Sequence, residues 1–250
     1  MRYAILSDLH GNLEALDAML AHLATQRINR YCCLGDLVGY GADPKACLAR
    51  MHGCEAICVC GNHEWGAFGK LRLEWFNETA RQALVWTRKQ LDFRDLDAIR
   101  RLPLVTTDGP LTLVHGTLKA PEQFEYLTDV GQALDTLRVC RTPICAVGNT
   151  HVPFLLEYDR AQGRVGRVLS APPDLVEVRL SIQEHMRYVI NPGSVGQPRD
   201  GDPRASCAIV DTDVSTMWLH RVRYDIAAAQ AKIRQAHLPA FVADRLALGR

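Results

Sequence analysis

Five short polar clusters carry the residues of this 250-residue chain that could do chemistry. They are Ser7-Asp8-Leu9-His10, Gly35-Asp36, Gly61-Asn62-His63, Val114-His115-Gly116 and Gly148-Asn149-Thr150-His151. Each follows an apolar, strand-like stretch, and an open α/β sheet gathers its ligands at the C-terminal ends of its strands. Asp8 and His10 are two residues apart and on a regular strand would face the same side. Asp36 supplies a second carboxylate whose two oxygens can bridge two metals, and Gly35 before it allows a sharp exit from the sheet. Asn62, His115 and His151 add an amide oxygen and two imidazoles. This mixed nitrogen and oxygen set, without thiolate, suits manganese, iron, cobalt or zinc better than calcium or a soft metal. Taken singly, an Asp-x-His or a Gly-Asp is commonplace and a histidine is usually structural. Five clusters with compatible donors at strand ends read as one metal centre.

The elements that must position these clusters alternate at first between strand and helix, which predicts a sheet covered by helices. Residues 2 to 7 read as a buried strand. Asn12 opens an amphipathic helix to about Gln26, with Leu13, Leu16, Met19, Leu20 and Leu23 on one face. Tyr31 to Leu34 is a second strand, and after it Asp43 caps a helix that has Pro44 in its first turn. Ala56 to Cys60 is a third strand, followed by a mainly helical stretch from 64 to 100. Leu104 to Thr107 and Leu111 to His115 flank Asp108-Gly109-Pro110 as a hairpin. A helix from Asp129 to Val139 leads into a strand at Ile144 to Val147. Later strands at 154–158, 164–170, 175–181, 187–190, 205–211 and 214–223 suggest a second sheet, and the tail from Asp225 is helical with a break at Pro239. No repeat or flexible linker interrupts the chain, so a single domain over 1–250 is expected, with two sheets face to face and helices outside.

Composition narrows the function classes. With 29 basic and 28 acidic residues the formal charge is +1, which gives no global attraction for nucleic acid or a membrane surface. Nucleic acid is therefore an unfavoured partner, and any preference for an anion must come from local groups. The N-terminal stretch reaches Asp8 too soon for the apolar part of a signal peptide, and no apolar run is long enough to span a membrane, so a cytoplasmic location is expected. Nine cysteines without a Cys-x-x-Cys pair read as reduced, mostly buried thiols. The spacing of Cys54, Cys58 and Cys60 fits no standard zinc module.

The ordered series Asp8-Leu-His10, Gly35-Asp36, Gly61-Asn62-His63-Glu64, His115 and Gly148-Asn149-Thr-His151 resembles the signature of the calcineurin-like metallophosphoesterase superfamily. The resemblance runs through nearly the whole chain, because Asp36-Leu-Val-Gly-Tyr-Gly-Ala-Asp43 and Asn191-Pro-Gly-Ser-Val-Gly-Gln-Pro-Arg199 are similar to its small bacterial phosphodiesterase branch. It implies a four-layer α/β/β/α sandwich of two mixed β-sheets flanked by helices. It also implies two divalent ions (manganese, iron, zinc, cobalt or nickel), with Asp8, His10, Asp36 and His151 around the first and Asp36, Asn62 and His115 around the second. His63 would stand beside them as general acid or as a hydrogen-bond donor to phosphate, while a metal-bound hydroxide attacks phosphorus. Asn149 stands where the family carries a histidine ligand to the second ion. An amide oxygen is the weaker, neutral donor, so the second site is expected to bind more loosely or to be completed by water.

Beyond the ligands, the Gly- and Pro-rich run from Asn191 to Arg204 has two readings. Its backbone amides with Arg199 or Arg204 could hold phosphate, or it is a rigid loop whose arginines and aspartates pair with one another. Asn12 is a helix cap by position, with substrate contact as the other reading. Trp65, Trp75, Trp86 and Phe76 are expected to pack the helical stretch after His63, with Trp65 and Phe68 near enough in sequence to line a substrate cleft. The remaining histidines, His22, His52, His185, His220 and His237, match no motif and read as structural. The function expected is a phosphoesterase acting on phosphodiesters or small phosphomonoesters. Alternatives are a phosphate- or nucleotide-binding regulatory protein, a dinucleoside polyphosphate hydrolase and a phosphoprotein phosphatase. A homo-oligomer is compatible with the sequence.

Overall fold

The computed structural model describes residues 1–172, 176–181 and 183–250. The strands are β1 (Arg2–Leu6), β2 (Arg30–Cys33), β3 (Ile57–Cys58), β4 (Val105–Asp108), β5 (Leu111–Val114), β6 (Ile144–Ala146), β7 (Phe154–Asp159), β8 (Arg164–Ser170), β9 (Val176–Arg179), β10 (Met186–Asn191), β11 (Ala205–Asp211) and β12 (Thr216–Val222). The helices are α1 (Leu13–Ala24), α2 (Pro44–Gly53), α3 (Asn62–Phe68), α4 (Glu78–Gln90), α5 (Phe93–Arg100), α6 (Val130–Val139), α7 (Ile226–Gln235) and α8 (Ala240–Asp244). The strands form two mixed six-stranded sheets, ordered β3-β2-β1-β11-β12-β9 and β4-β5-β6-β10-β7-β8. The helices lie outside them, which is the expected four-layer α/β/β/α sandwich.

Alternation along the strands explains the layering, because successive side chains point to opposite faces. Tyr3 and Ile5 of β1 enter the core between the sheets together with Ile144, Ala146, Tyr188 and Ile190. Their neighbours Ala4 and Leu6 face outward onto Leu16, Met19 and Leu23 of α1 and Met51 of α2. On the other sheet Cys145 and Val189 meet Ala133 and Leu137 of α6. Strands buried on both faces read as near-continuous apolar runs, as these do.

Two features depart from the sequence reading. The later strands do not make a sheet of their own. β9, β11 and β12 extend the first sheet beside β1, while β7, β8 and β10 complete the one begun by the β4–β5 hairpin. Asp43 occupies the N-cap position of α2, but its side chain makes no capping bond and instead accepts from Lys232 Nζ of α7 at 2.8 Å. Of the strand expected at 175–181, its first residue lies outside the described residues, and β9 covers Val176–Arg179.

Three strands in each sheet run parallel, β1, β2 and β3 in one and β5, β6 and β10 in the other. Their C-terminal ends carry all five polar clusters. Backbone bonds continue past the strand ends and fix the loops to one another: Asp8 N–H donates to Gly35 O (3.1 Å), His10 N–H to Asp36 O (2.8 Å) and Gly148 N–H to His115 O (2.8 Å). Among the described residues no helix is long and apolar enough to cross a membrane.

Candidate metal centre

The loops after β1, β2, β3, β5 and β6 bring Asp8, His10, Asp36, Asn62, His115, Asn149 and His151 to one end of the sandwich. His10 Nε2 lies 3.2 Å from His151 Nε2, 3.8 Å from Asp8 Oδ1 and 3.6 Å from Asp36 Oδ2. His151 Nε2 is 3.3 Å from Asp8 Oδ1. On the other side of Asp36, His115 Nε2 is 3.4 Å from its Oδ2 and 3.2 Å from Asn62 Oδ1. Three groups of donors compact enough to share an ion follow: Asp8, His10 and His151; His10, Asp36 and His63; Asp8, Asp36 and His115. All of these side chains are buried.

The hydrogen-bond directions show what this cluster is built to receive. A backbone carbonyl can only accept, so Nδ1 donates in each of the three imidazoles: His10 to Val38 O (3.1 Å), His115 to Leu34 O (2.6 Å) and His151 to Gln197 O (2.6 Å). In a neutral ring the inward Nε2 is then a bare lone pair, the arrangement of a ligating histidine with its tautomer fixed from behind. Lone pairs of His10 and His151 thus face each other and the carboxylates, and buried Asp8 Oδ1 has no hydrogen-bond partner. Acceptors crowded without donors need a cation between them. Divalent metal ions fit that demand, and the mixed donor set suits the metals named above.

The titration tendencies express the same crowding among the protein groups themselves. Burial lifts Asp8 to about 6 against the pull of His115. Burial opposes charge on His115, yet Asp36 overrides it by charge and hydrogen bond and raises the imidazole to about 10. Asp36 is held far below the carboxylate range, because His115, His63 and His10 outweigh its own burial. Burial depresses His10 and His151 strongly, with His63 adding to the effect on His10 and Arg199 to that on His151.

Backbone conformation marks the same place. Asp8 (φ 53°), His10 (48°), Asp36 (53°), Asn149 (67°) and His151 (62°) are all left-handed, as are Tyr40 (56°) and Phe124 (50°) beside them. Such conformations cost non-glycine residues on the order of 1 kcal/mol each and persist at sites where the surroundings enforce them. Close approach of two loops demands Gly35, where a Cβ would lie 2.6 Å from Gly61 N.

Several residues hold the ligands without being ligands. Buried Glu64 accepts from the backbone N–H of Asp36 (2.8 Å), Leu37 (2.8 Å), Val38 (3.2 Å) and Gly61 (2.8 Å), so one carboxylate clamps the β2 loop to the start of α3. Ser7 Oγ donates to Asp8 Oδ2 at 2.6 Å. Asn191 Nδ2 donates to Gly148 O (2.9 Å) and Thr150 Oγ1 (3.0 Å). Glu64 stood within the quoted motif, but its four-fold clamp has no signal in sequence.

The structure decides between the two readings of Asn12 and of the 191–204 loop, and corrects the expectation for Trp75. Asn12 is a scaffold residue rather than a substrate contact: its Oδ1 caps α1 at Ala15 N (3.1 Å) and its Nδ2 donates to Gly196 O (2.8 Å). Three amides of the Gly-Ser-Val-Gly turn are not free for phosphate, because those of Gly193, Val195 and Gly196 bond to Asn191 Oδ1, Ser7 O and Asp8 O, and the following Gln197 N–H bonds to Ser194 Oγ. Arg204 does not reach the cluster's cleft but pairs with Asp202 (2.6 Å), and Arg221 pairs with Asp200 where both are buried. Trp75 does not pack a helical cap, being 73% exposed.

Arg199 and Trp65 line a cleft of about 630 Å³ above the cluster, together with Asp36, Asn62, His63, Asn149 and His151. Phe68 lies outside it in a neighbouring hollow. His63 has its ring against His10 (4.7 Å), Tyr40 (4.6 Å) and Phe76 (5.5 Å). Its Nε2 is 4.0 Å from Asp36 Oδ2 and its buried Nδ1 has no partner. The Asn149 amide nitrogen donates to Phe124 O (2.7 Å), which leaves Oδ1 as its remaining donor to a cation.

Comparison with known proteins agrees with this geometry. The Calcineurin-like phosphoesterase superfamily domain matches residues 1–215. An uncharacterized protein of Methanocaldococcus jannaschii is 36% identical over 256 residues, spanning 99% of this chain and 98% of its own. The crystal structure of a metallophosphoesterase from Sphaerobacter thermophilus superposes with a TM-score of 0.87 at 40% identity, covering 100% of both chains. A hypothetical protein from Pyrococcus horikoshii OT3, at 19% identity and a TM-score of 0.78, covers 100% of this chain and 98% of its own and shares the fold. The chain belongs to the calcineurin-like phosphoesterase superfamily.

Proposed function

We propose that the protein is a divalent-metal-dependent phosphoesterase that hydrolyses phosphodiesters or small phosphomonoesters. The observation that carries this reading is the inward lone pairs of His10, His115 and His151 meeting Asp8 and Asp36 at the floor of an open cleft. In it Asp8, His10, Asp36 and His151 hold a first ion, and Asp36, Asn62 and His115 a second, with Asn149 Oδ1 as a weak further donor. Two such ions would supply Lewis acidity toward the phosphoryl oxygens and a water acidic enough to serve as nucleophile near neutral pH.

The chain's own residues do the rest. Arg199 faces the cleft and gives a cation to a non-bridging phosphate oxygen; its Nη2 already bonds to Gln197 Oε1 at 2.8 Å, which aims the guanidinium. Burial lowers His63 to about 4 in the free protein, so the ring is neutral near pH 7 until a phosphate anion lies beside it. That anion raises its basicity, so with substrate bound the ring takes up a proton from solvent, hydrogen-bonds a phosphate oxygen as imidazolium and gives the proton to the leaving alkoxide, returning to neutral imidazole. The aromatic rings around His63 fix its orientation, since its Nδ1 is unpartnered.

Asn149 favours a second reading, a protein that binds a phosphate compound with a weakened second ion and turns it over slowly. Metal-reconstituted protein assayed on p-nitrophenyl phosphate and bis-p-nitrophenyl phosphate with Mn²⁺, Ni²⁺, Co²⁺ and Zn²⁺ separates the two. Hydrolysis that falls about 100-fold or more in His63→Ala supports the enzyme. Nucleotide binding with no hydrolysis under any of these metals supports the binder.

A further inference from the structure

Resting on the phosphoesterase reading, we propose that the cleft selects phosphoesters that carry a nucleobase, with Trp75 and Tyr126 as the stacking residues at its mouth. A volume of about 630 Å³ lies within the ~300–1,000 Å³ of sites that enclose a drug-sized molecule, so the cleft accommodates far more than the phosphate itself. Six of its eighteen lining residues are Trp, Tyr or Phe, against 7% of the chain. Aliphatic side chains among them are few, essentially Leu71 and Ala80, which argues against a lipid tail.

Exposure separates two kinds of aromatic residue in this wall. Trp65 and Phe124 are buried and pack edge to face at 5.0 Å, so they are the structural backing. Trp75 and Tyr126 are 73% and 51% exposed. Trp75 ends a short 3-10 turn, Leu73–Trp75, before α4, and Tyr126 stands in the loop between β5 and α6. Neither supports a core, and large rings left in water at a cleft mouth are stacking platforms for a planar ligand. The other tryptophans, Trp65, Trp86 and Trp218, are buried or partly buried.

Polar groups accompany the exposed rings. Asn77 spends its Oδ1 on capping α4 at Ala80 N (2.9 Å), which leaves its Nδ2 as a donor, and Gln123 offers both a donor and an acceptor beside Tyr126. A base stacked at the mouth would present its hydrogen-bonding edge to these amides, with its phosphate lying toward Arg199 and the ligand cluster on the floor.

The test compares substrates that share the scissile bond and differ only in the base: adenosine 5′-monophosphate against ribose 5-phosphate, and their methyl esters, followed by phosphorus NMR with Mn²⁺. The proposal expects kcat/KM to favour the adenosine compounds by about tenfold or more, from stacking. It further expects Trp75→Ala to reduce that ratio several-fold and Trp75→Phe, which keeps a ring, to retain most of it. A ratio near one in the natural protein, or one unchanged by Trp75→Ala and Tyr126→Ala together, overturns the proposal. Binding is read separately by quenching of tryptophan emission. Should none of the compounds be cleaved with Mn²⁺, nor with Ni²⁺, Co²⁺ or Zn²⁺ in its place, the phosphoesterase reading fails. Quenching by adenosine 5′-monophosphate but not by ribose 5-phosphate, lost in Trp75→Ala, would still uphold the base preference. Equal or absent quenching would sink it.

Discussion

Across the shared Asp36 the ligand cluster divides into halves of different chemistry. One half sets Asp8, His10 and His151 within 3.8 Å of one another, an anion and two imidazoles whose outer nitrogens are anchored on backbone carbonyls. The other offers a single imidazole, His115, with the amide oxygens of Asn62 and Asn149. The first half is wholly buried with left-handed backbone at Asp8, His10 and His151, whereas in the second Asn62 is partly exposed and only Asn149 is left-handed. The difference in donors goes with that difference in scaffold: charge and basicity give way to neutral, weaker oxygen on one side only. On the proposed reading one ion would be held tightly and the other would come and go with metal supply.

Breaking the bridge should have the largest effect. Asp36→Asn removes the carboxylate common to both halves, and hydrolysis of an aryl phosphate ester is expected to fall about 1,000-fold or more, beyond the ~10–100-fold typical of losing a partner behind a ligand. Metal content measured on the purified variant should fall with it. Next, His151→Ala and His115→Ala should part company: the first is expected to lose the tightly held ion, and the second to keep it while needing about tenfold more Mn²⁺ for half-maximal activity. Equal losses in the two variants would erase the distinction between the halves. Asn149→His should narrow the difference by restoring an imidazole, lowering the Mn²⁺ required by up to about tenfold. Left-handed backbone at position 149 is compatible with histidine, which is among the residues enriched there.

The smallest effect is a control on histidine pairing itself. His22 and His220 lie 3.0 Å apart on the outer face of the first sheet, much as His10 and His151 do inside. Burial, together with His22 and Arg2, lowers His220 to about 4. A histidine depressed in the fold favours the neutral form, so its stabilising share is present above pH 6.5 and is lost as pH falls toward 4. The urea midpoint of the natural protein should decline across that window, and His220→Asn should flatten the decline slightly. Saturating Mn²⁺ should stabilise the inner pair and leave the outer one's contribution unchanged.

That the ligand cluster was readable from sequence and other parts were not has a physical basis. Asp8, His10, Asp36, Asn62, His115 and His151 each follow a parallel strand, and apolar runs ending in Asp, His or Asn advertise strand ends directly. The α/β/β/α layering followed from alternation and from resemblance. The sharing of late strands between both sheets did not, because hydrophobic period identifies a strand but not its neighbour. The loop at 191–199 stayed open between two readings for a similar reason. Glycine-rich backbone looks available for phosphate, yet the amides of Val195 and Gly196 are consumed by Ser7 O and Asp8 O, far away in sequence, and those of Gly193 and Gln197 by local side chains. Asn12 illustrates the same limit: its capping role was visible locally, whereas its bond to Gly196 was not. The aromatic mouth was hidden because Trp75 and Tyr126 lie 51 residues apart and come to one cleft only through the fold.

Calorimetric titration of metal-free protein with Mn²⁺ tests the inequality of the two halves most directly. The account predicts two binding events per chain, separated by about tenfold or more in affinity, with hydrolysis appearing only as the weaker one fills. Two events of equal affinity, or no binding at all, would contradict it.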